Sequence, residues 1–150
     1  MTITHPAFGQ LTPGGEDPCW ESRIEWSGHT LRLDLTISDP HVRLELLDGA
    51  ARIAADVGEF DRLARVAIRQ DYDQDAESSE FGLYMHHHLD EFDHAELSQL
   101  FGVDHPDLVD VDRFAASLYL RRIGLSPDDP ERYAVFDYTI GDALTDYLLV

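Results

Sequence analysis

The chain has 150 residues, the usual size of one domain, and no apolar run in it approaches the roughly 20 residues that a membrane-spanning helix needs. With 43% hydrophobic residues it is too apolar for a disordered chain. Its 30 acidic and 11 basic residues give a net charge of -19, which disfavours nucleic acid and anionic membranes as direct ligands. We therefore expect a single domain, residues 1–150, that binds neither.

The charged residues are biased in type as well as in sign. The chain contains no lysine and no asparagine, and aspartate outnumbers glutamate by 20 to 10. Adaptation to high salt and codon bias both explain this composition, and under either one the repulsion among carboxylates predicts that stability rises with ionic strength. Cys19 is the only cysteine and the first thirty residues lack a signal-peptide pattern, so we expect a cytoplasmic protein without an intramolecular disulfide.

The N-terminal part of the chain predicts an arm followed by a β-hairpin. Residues 1–19 include a stretch rich in Pro, Gly and acidic side chains, which predicts an irregular arm anchored by Phe8 and Leu11. Apolar residues then alternate with charged ones over residues 20–26 and again over residues 31–37. A glycine between these two runs is typical of a hairpin turn.

The middle of the chain has the apolar period of helices, with start and stop signals at several ends. The spacings Asp56 to Glu59 and Asp93 to Glu96 are those of capping boxes, and Gly102 suits a C-terminal cap. The predicted helices are residues 42–55, a helix that starts after Asp56, a helix from Ser78 or Ser79 to Phe92, a helix from Asp93 to Gly102, and a short helix over residues 111–118.

Extended segments return after these helices. Residues 118–125 and 134–140 predict strands, and the four apolar residues 147–150 predict a last strand that is central or buried. The fold class implied is α+β. The N-terminal β-hairpin and the C-terminal antiparallel strands form a sheet that packs against the central helical segment.

Three consecutive histidines lie in the third predicted helix. Neighbours on a helix point about 100° apart, so residues 86–88 cannot bind one metal as a triplet, whereas side chains four residues apart can. The candidate metal ligands are His86, His87, Asp90 and His94, with zinc or another divalent ion as the candidate cofactor. The capping box at Asp93 predicts a helix break before His94. The preferred alternative places His88 in the core and the other two in solvent, and a pH-sensitive interface is a third reading.

The acidic run between the second and third helices begins like a calcium-binding loop. Asp71, Asp73 and Asp75 have EF-hand spacing, but the sixth position is Ala76 and the twelfth is Gly82, where the motif needs glycine and glutamate. We therefore expect an acidic linker, with weak calcium or magnesium binding as the alternative. The chain has no Gly-x-Ser-x-Gly turn and no phosphate-binding glycine pattern, so an enzyme is the less favoured class.

Three arginines on one helix and two tryptophans on one strand are two further candidate binding faces. Arg62, Arg65 and Arg69 lie on one face of the second helix, where they would bind an anionic ligand or an acidic partner, or pair with acids of the chain itself. The second explanation is preferred. Trp20 and Trp26 share one strand face and are interpreted first as core residues and second as an exposed binding face.

Several local patterns together resemble a family of small bacterial proteins, the domain-of-unknown-function family numbered 2004, some of whose members look like immunity proteins encoded beside toxins. The patterns are His5-Pro6-x-Phe8-Gly9-x-Leu11, the tryptophan hairpin, Ala64-Arg65, Asp71-Tyr72, Tyr84 with His87-His88-Leu89, Phe136-Asp137-Tyr138-Thr139-Ile140 and Leu144-Thr145-Asp146-Tyr147. The resemblance covers nearly the whole chain. It implies an α+β fold and a non-enzymatic role, and it transfers no catalytic residue.

Charge and the lack of catalytic motifs favour an acidic protein-binding module, similar to an immunity or antitoxin protein. A carboxylate-rich face can steer and cover the cationic groove of a nuclease, so we predict a basic protein partner. The predicted contact residues are Asp71, Asp73, Asp75, Glu77, Glu80, Asp90 and Glu91. The alternatives are a metal-binding protein or metal-dependent hydrolase that uses the histidine helix, and mimicry of nucleic acid. A homodimer through the tryptophan hairpin or the last strand is a further prediction.

Overall fold

Helices and strands follow one another along the chain in a computed structural model that describes residues 1–141 and 148–150. The strands are β1 (Ile3–His5), β2 (Gly9–Leu11), β3 (Trp20–Trp26), β4 (His29–Leu35), β5 (Tyr119–Leu125), β6 (Ala134–Thr139) and β7 (Leu148–Leu149). The helices are α1 (Leu44–Ala55), α2 (Val57–Gln74), α3 (Glu80–Glu91), α4 (His94–Phe101) and α5 (Val111–Ser117), with a single turn of 3-10 helix at Pro106–Leu108.

The strands form two sheets, and the α+β fold class is confirmed. Strands β1 and β2 form a small antiparallel sheet, and the larger sheet has the order β3-β4-β5-β6-β7 and packs against helices. The expectation of a purely antiparallel sheet is wrong at one pair, because β4 and β5 are parallel. The connection between them contains all five helices, which is long enough to return the chain to the same end of the sheet.

Backbone contacts group the chain into two compact units. The first comprises Met1–Leu63 and Leu120–Asp137, and the second comprises Ala64–Tyr119 and Tyr138–Val150. That the whole chain is a single domain stays a prediction. Within the part of the chain that the structure describes, no helix is both long enough and apolar enough to span a membrane.

The N-terminal segment is more regular than its composition predicts. Residues 3–11 form the β1–β2 hairpin, so the interpretation of residues 1–19 as an irregular arm is wrong there, while residues 12–19 contain only turns, bends and the loop into β3. Three-residue strands are too short to show an alternating pattern in the sequence. Phe8 and Leu11 are buried, as predicted for the anchors of this segment.

The tryptophan hairpin is confirmed. Ser27 and Gly28 form its turn, and both have positive φ angles, 50° and 81°, as a two-residue turn of type I′ requires. The indole Nε1 of Trp26 donates a hydrogen bond to Asp61 at 3.2 Å. The ring of Trp20 meets the edge of Phe8 at 4.9 Å between centroids. Both tryptophans are half-buried within the first unit, which agrees with the core interpretation.

The second unit is built from capped helices around aromatic rings. Asp93 and Glu96 form the predicted capping box, and Gly102 ends α4 in the left-handed conformation at φ 67°. Ser79 caps α3 by accepting a hydrogen bond from the Gly82 backbone N–H at 3.0 Å. Phe114, on α5, is fully buried and its ring lies within about 6 Å of several other aromatic rings. These rings form the core of the unit.

The last strand was predicted to be central or buried. Strand β7 lies at the end of the strand order, so the central position is wrong, while burial holds for one of its two residues. Leu148 is buried and Leu149 is exposed, which is the alternation of a strand with one covered face. Tyr147 lies outside the described residues.

Candidate functional site

Acidic side chains dominate the surface of the second unit. Between residues 64 and 119 the chain has thirteen aspartate and glutamate residues and three arginines, and all thirteen acidic residues are exposed. We call these thirteen residues the acidic surface. They are Asp71, Asp73, Asp75, Glu77, Glu80, Asp90, Glu91, Asp93, Glu96, Asp104, Asp107, Asp110 and Asp112. All seven predicted contact residues belong to it.

The seven predicted contact residues fall into two groups along the chain. Five lie at the end of α2, in the following turn and at the start of α3, and the other two lie at the end of α3. Helix α3 has 12 residues and rises about 1.5 Å per residue, so Glu80 and Glu91 are separated by about 16 Å. The predicted contact set is therefore spread over two places on the surface rather than concentrated in one cleft.

Two of these carboxylates already have partners inside the chain. Asp73 accepts a hydrogen bond from Arg69 Nε at 3.0 Å, one helical turn away. Asp75 accepts from the backbone N–H groups of Glu77 at 3.3 Å and Ser78 at 3.0 Å, which shapes the turn before α3. Asp73 and Asp75 therefore have structural roles in an ion pair and a turn.

All three arginines of residues 64–119 are held by groups of the same unit. Arg65 donates to the backbone carbonyls of Ala115 at 3.2 Å and Leu118 at 3.0 Å. Arg69 binds Asp73 and Asp112, and Arg113 donates to the carbonyl of Phe101. Because these cations are engaged internally, the charge that the second unit presents to a partner is negative.

The predicted arginine face of α2 is accounted for by such internal contacts. In the first unit, Arg62 pairs with Glu59 at 2.8 Å, one turn earlier on the same helix. In the second unit, Arg65 and Arg69 have the partners given above. For Arg62 and Arg69 the structure agrees with the preferred interpretation, in which the arginines pair with acids of the chain itself. Arg65 donates instead to backbone carbonyls in the contacts given above.

The histidines do not converge. His86 and His87 are exposed on α3, whereas His88 is buried with its ring 4.2 Å from that of Tyr84. Helix α3 ends at Glu91, and His94 belongs to the separate helix α4, as the capping box predicted. Among residues 1–141 and 148–150, no group of three or more metal-ligating side chains has a geometry that could hold a metal ion.

Cys19 has the environment of a structural thiol. Its Sγ donates a hydrogen bond to the carbonyl of Leu35 at 3.3 Å. Burial raises the pKa of the Cys19 thiol; backbone hydrogen bonds at Cys19 and Ile37 oppose this, and the charge of Asp128 adds to it. Burial, rather than the charge of Asp128, is the main cause of the raised pKa. A raised thiol pKa disfavours nucleophilic chemistry.

The first unit contains a charge cluster, with two buried carboxylates and a half-buried arginine, that the sequence analysis did not find. Arg122, on β5, binds Asp34 of β4 through two hydrogen bonds of 2.6 and 2.8 Å and binds Asp137 of β6 at 3.2 Å. The side chains of Asp34 and Asp137 are only 1% and 7% exposed. Arg32 lies opposite Arg122 in the strand register and also contacts Asp34, at 3.4 Å. We call Asp34, Arg122 and Asp137 the charge cluster.

The absence of a side chain at Gly124 leaves space for the Arg122 guanidinium. Gly124 lies opposite Asp34 in the parallel register of β4 and β5. A Cβ atom at this position would lie 2.7 Å from Nη2 and 2.9 Å from Cζ of Arg122. The guanidinium group therefore lies across the sheet where any other residue would place a side chain.

Asp137 is the incompletely satisfied member of the charge cluster. Its Oδ1 atom is buried and accepts no hydrogen bond from the described residues. Burial raises the pKa of the Asp137 carboxyl; the hydrogen bond and charge of Arg122 lower it, and the charge of Asp34 raises it. The net shift is upward, so burial outweighs the attraction of the arginine. The folded chain therefore binds the Asp137 proton more tightly than the unfolded chain does.

We expect Asp137→Asn to gain stability relative to the wild type as pH rises. The folded-state pKa of Asp137 is above its ordinary value of 3.8, so the wild type loses stability between that pH and the raised pKa, while asparagine does not ionise. Urea unfolding at pH values from about 3.5 to about 7 measures the difference. The control is Asp104→Asn, which removes the same charge at an exposed position. A relative stability that falls with pH would show that Arg122 outweighs burial.

Comparisons with models of protein families, with curated proteins and with solved structures give no match. The resemblance to the domain-of-unknown-function family therefore stays a prediction. The pattern on α3 includes the buried residues His88 and Leu89, and the last pattern, residues 144–147, lies outside the described residues.

Proposed function

We propose that this chain is an acidic protein-binding module that covers a basic surface of a partner protein, in the manner of an immunity or antitoxin protein. One observation carries the proposal. All thirteen acidic side chains of residues 64–119 are exposed, while the three arginines of the same segment are bound within the second unit. The surface is therefore negative without nearby free cations to offset it, which is the arrangement that attracts a basic protein.

In this proposal, electrostatic attraction first steers the basic partner toward the acidic surface, and the bound chain then covers the partner's cationic groove. A nuclease needs a cationic groove to hold phosphates, and a carboxylate-rich surface competes for that groove. Exposed charges mainly accelerate encounter, and their effect falls as salt screens them. The two places occupied by the predicted contact residues, about 16 Å apart along α3, would contact separate basic residues of one partner.

Two variants with the same net charge test whether binding depends on the positions of the carboxylates or only on the net charge of the chain. The test variant neutralises the five predicted contact residues other than Asp73 and Asp75, whose carboxylates have partners inside the chain: Asp71→Asn, Glu77→Gln, Glu80→Gln, Asp90→Asn and Glu91→Gln. The control variant removes the same number of charges from exposed positions outside the acidic surface: Glu16→Gln, Asp17→Asn, Glu25→Gln, Glu45→Gln and Glu131→Gln.

We expect the wild type and the control variant to retain a basic protein from a lysate of the source organism at about 0.05 M salt and to release it at about 0.5 M, where the Debye length falls below about 5 Å. Association of that purified protein with the test variant should be slower by about tenfold or more. Mass spectrometry identifies the protein and stopped-flow fluorescence gives the rate. Failure to retain any basic protein at low salt contradicts the proposal, and equal rates for the two variants contradict the assigned residues.

A further inference from the structure

A pocket of about 210 Å³ opens beside the acidic surface, within the second unit. It is lined mainly by apolar side chains from α2, α3, α5 and the residue after α5. The lining residues are Arg65, Ile68, Arg69, Phe81, Ala115, Ala116 and Leu118. Ile68, Phe81 and Leu118 are buried, so the floor of the pocket belongs to the core of the unit.

The two arginines of the lining do not offer a vacant anion site. The Arg65 guanidinium donates to two backbone carbonyls at the end of α5, and it lies 5.0 Å from the centroid of the Tyr138 ring. The Arg69 guanidinium binds Asp73 and Asp112 and lies 5.8 Å from the Tyr72 ring. With their charged ends held in this way, the arginines contribute mainly methylene surface to the wall.

The edge of the pocket is acidic. Asp73 and Asp112 meet at Arg69, and their side chains remain 58% and 81% exposed. Two carboxylates against one guanidinium leave an excess of negative charge at this edge. The Arg65 guanidinium, the other cation of the lining, is directed to the carbonyls of Ala115 and Leu118. A ligand that inserts beside Arg69 therefore meets an apolar interior and a negative rim, which disfavours carboxylates and phosphates and favours cations beside an apolar group.

The size of the pocket matches one side chain. Pockets for drug-sized ligands have volumes of about 300 to 1,000 Å³, above the 210 Å³ found here. An apolar cavity of about 150 Å³ is large enough for benzene, so an aromatic ring or a leucine side chain fits. Protein interfaces commonly concentrate their binding energy in such an anchor, surrounded by polar contacts.

We propose that this pocket receives one apolar side chain, aromatic or leucine, from a partner segment in which arginine or lysine residues flank that side chain and pair with Asp73 and Asp112. The inference rests on the proposed function, since it names the part of the basic partner that the acidic surface recognises. The flanking arginine or lysine residues attract the partner segment to the acidic surface, and the inserted apolar side chain determines which segment binds.

The experiment uses two labelled peptides that differ only in the anchor: acetyl-Arg-Arg-Phe-Arg-Arg-amide and the same peptide with alanine in place of phenylalanine. Fluorescence anisotropy at low salt gives their Kd values for the full chain. We expect the phenylalanine peptide to bind at least about tenfold more tightly, because binding transfers its ring from water into the apolar pocket. Ala116→Trp, which fills the pocket from its exposed edge, should abolish this preference, and the control Ala95→Trp, an exposed alanine on α4, should keep it.

The methyl NMR signals of Ile68, Ala115 and Leu118 provide a second measurement that needs no variant. They should shift with the phenylalanine peptide and not with the alanine peptide. Equal, salt-sensitive binding of the two peptides would overturn the pocket inference and leave the acidic surface as the binding element. No binding of either peptide at low salt would overturn the pocket inference and also count against the proposed function.

Discussion

Replacing Arg122 with alanine is expected to lower the free energy of unfolding by about 3 kcal/mol at pH 7, because removal of one partner leaves buried charges uncompensated. In the wild type Asp34 and Asp137 are 1% and 7% exposed, and both bind the Arg122 guanidinium. The control is Arg23→Ala on β3, in the same sheet, whose 67%-exposed side chain pairs with Glu21 at 3.3 Å. Its loss should stay within about 0.5 kcal/mol.

The pH dependence identifies the cause of this loss. Carboxylates left without Arg122 become less costly to bury once they are protonated, so the deficit of Arg122→Ala should shrink as pH is lowered from about 7 to about 4. Urea unfolding at several pH values measures it. A deficit that is independent of pH would mean that Arg122 stabilises the sheet through packing of its stem rather than through its charge.

Local patterns were sufficient to predict most of the helices and strands. The capping box at Asp93 and Glu96, the cap at Gly102 and the alternation of the tryptophan hairpin all depend on residues close in sequence, and each is present in the structure. The β1–β2 hairpin was missed because its strands have three residues each. The parallel pairing of β4 and β5 depends on the path of a long connection, which leaves no local signal.

The charge cluster could not be found from the sequence because its members are far apart along the chain. A single charged residue in a strand, such as Asp34 between two leucines, is normally read as facing solvent. Only the strand register brings Asp34 opposite Gly124 and within reach of Arg122. The one local hint is Gly124 itself, since glycine inside a strand often marks a close approach of another group.

The acidic surface was partly predictable from the sequence, because its exposure depends on residue type rather than on contacts between distant residues. Charged residues outside strands are mostly exposed, so composition alone indicates that Asp71 and its neighbours face solvent. Which arginines are occupied internally, and where an apolar pocket opens beside the carboxylates, depend on side-chain contacts across helices. Arg69 illustrates this, because one of its two acidic partners lies one turn away and the other, Asp112, lies on a different helix.

The largest loss of stability is expected for Phe114→Ala, about 4 kcal/mol, because removal of a fully buried ring adds the cost of a cavity to the lost burial. Phe114 is 0% exposed, and its ring centroid lies 5.9 Å from that of Phe81, 6.1 Å from that of Phe101 and 6.2 Å from that of Tyr84. No other side chain can fill its place without moving several of these rings. Thermal and urea unfolding measure the loss.

Phe92→Ala is the matched control in the same unit. Phe92 is half-buried at the end of α3, with ring contacts to His88 at 5.9 Å and Phe101 at 6.2 Å. Its removal should cost less than about 2 kcal/mol, since solvent can occupy part of the space. Similar losses in the two variants would show that Phe114 is not the centre of the aromatic core. A large loss for Phe114→Ala alone would show that the buried aromatic rings stabilise the second unit. These rings must also offset the repulsion among the exposed carboxylates of the acidic surface.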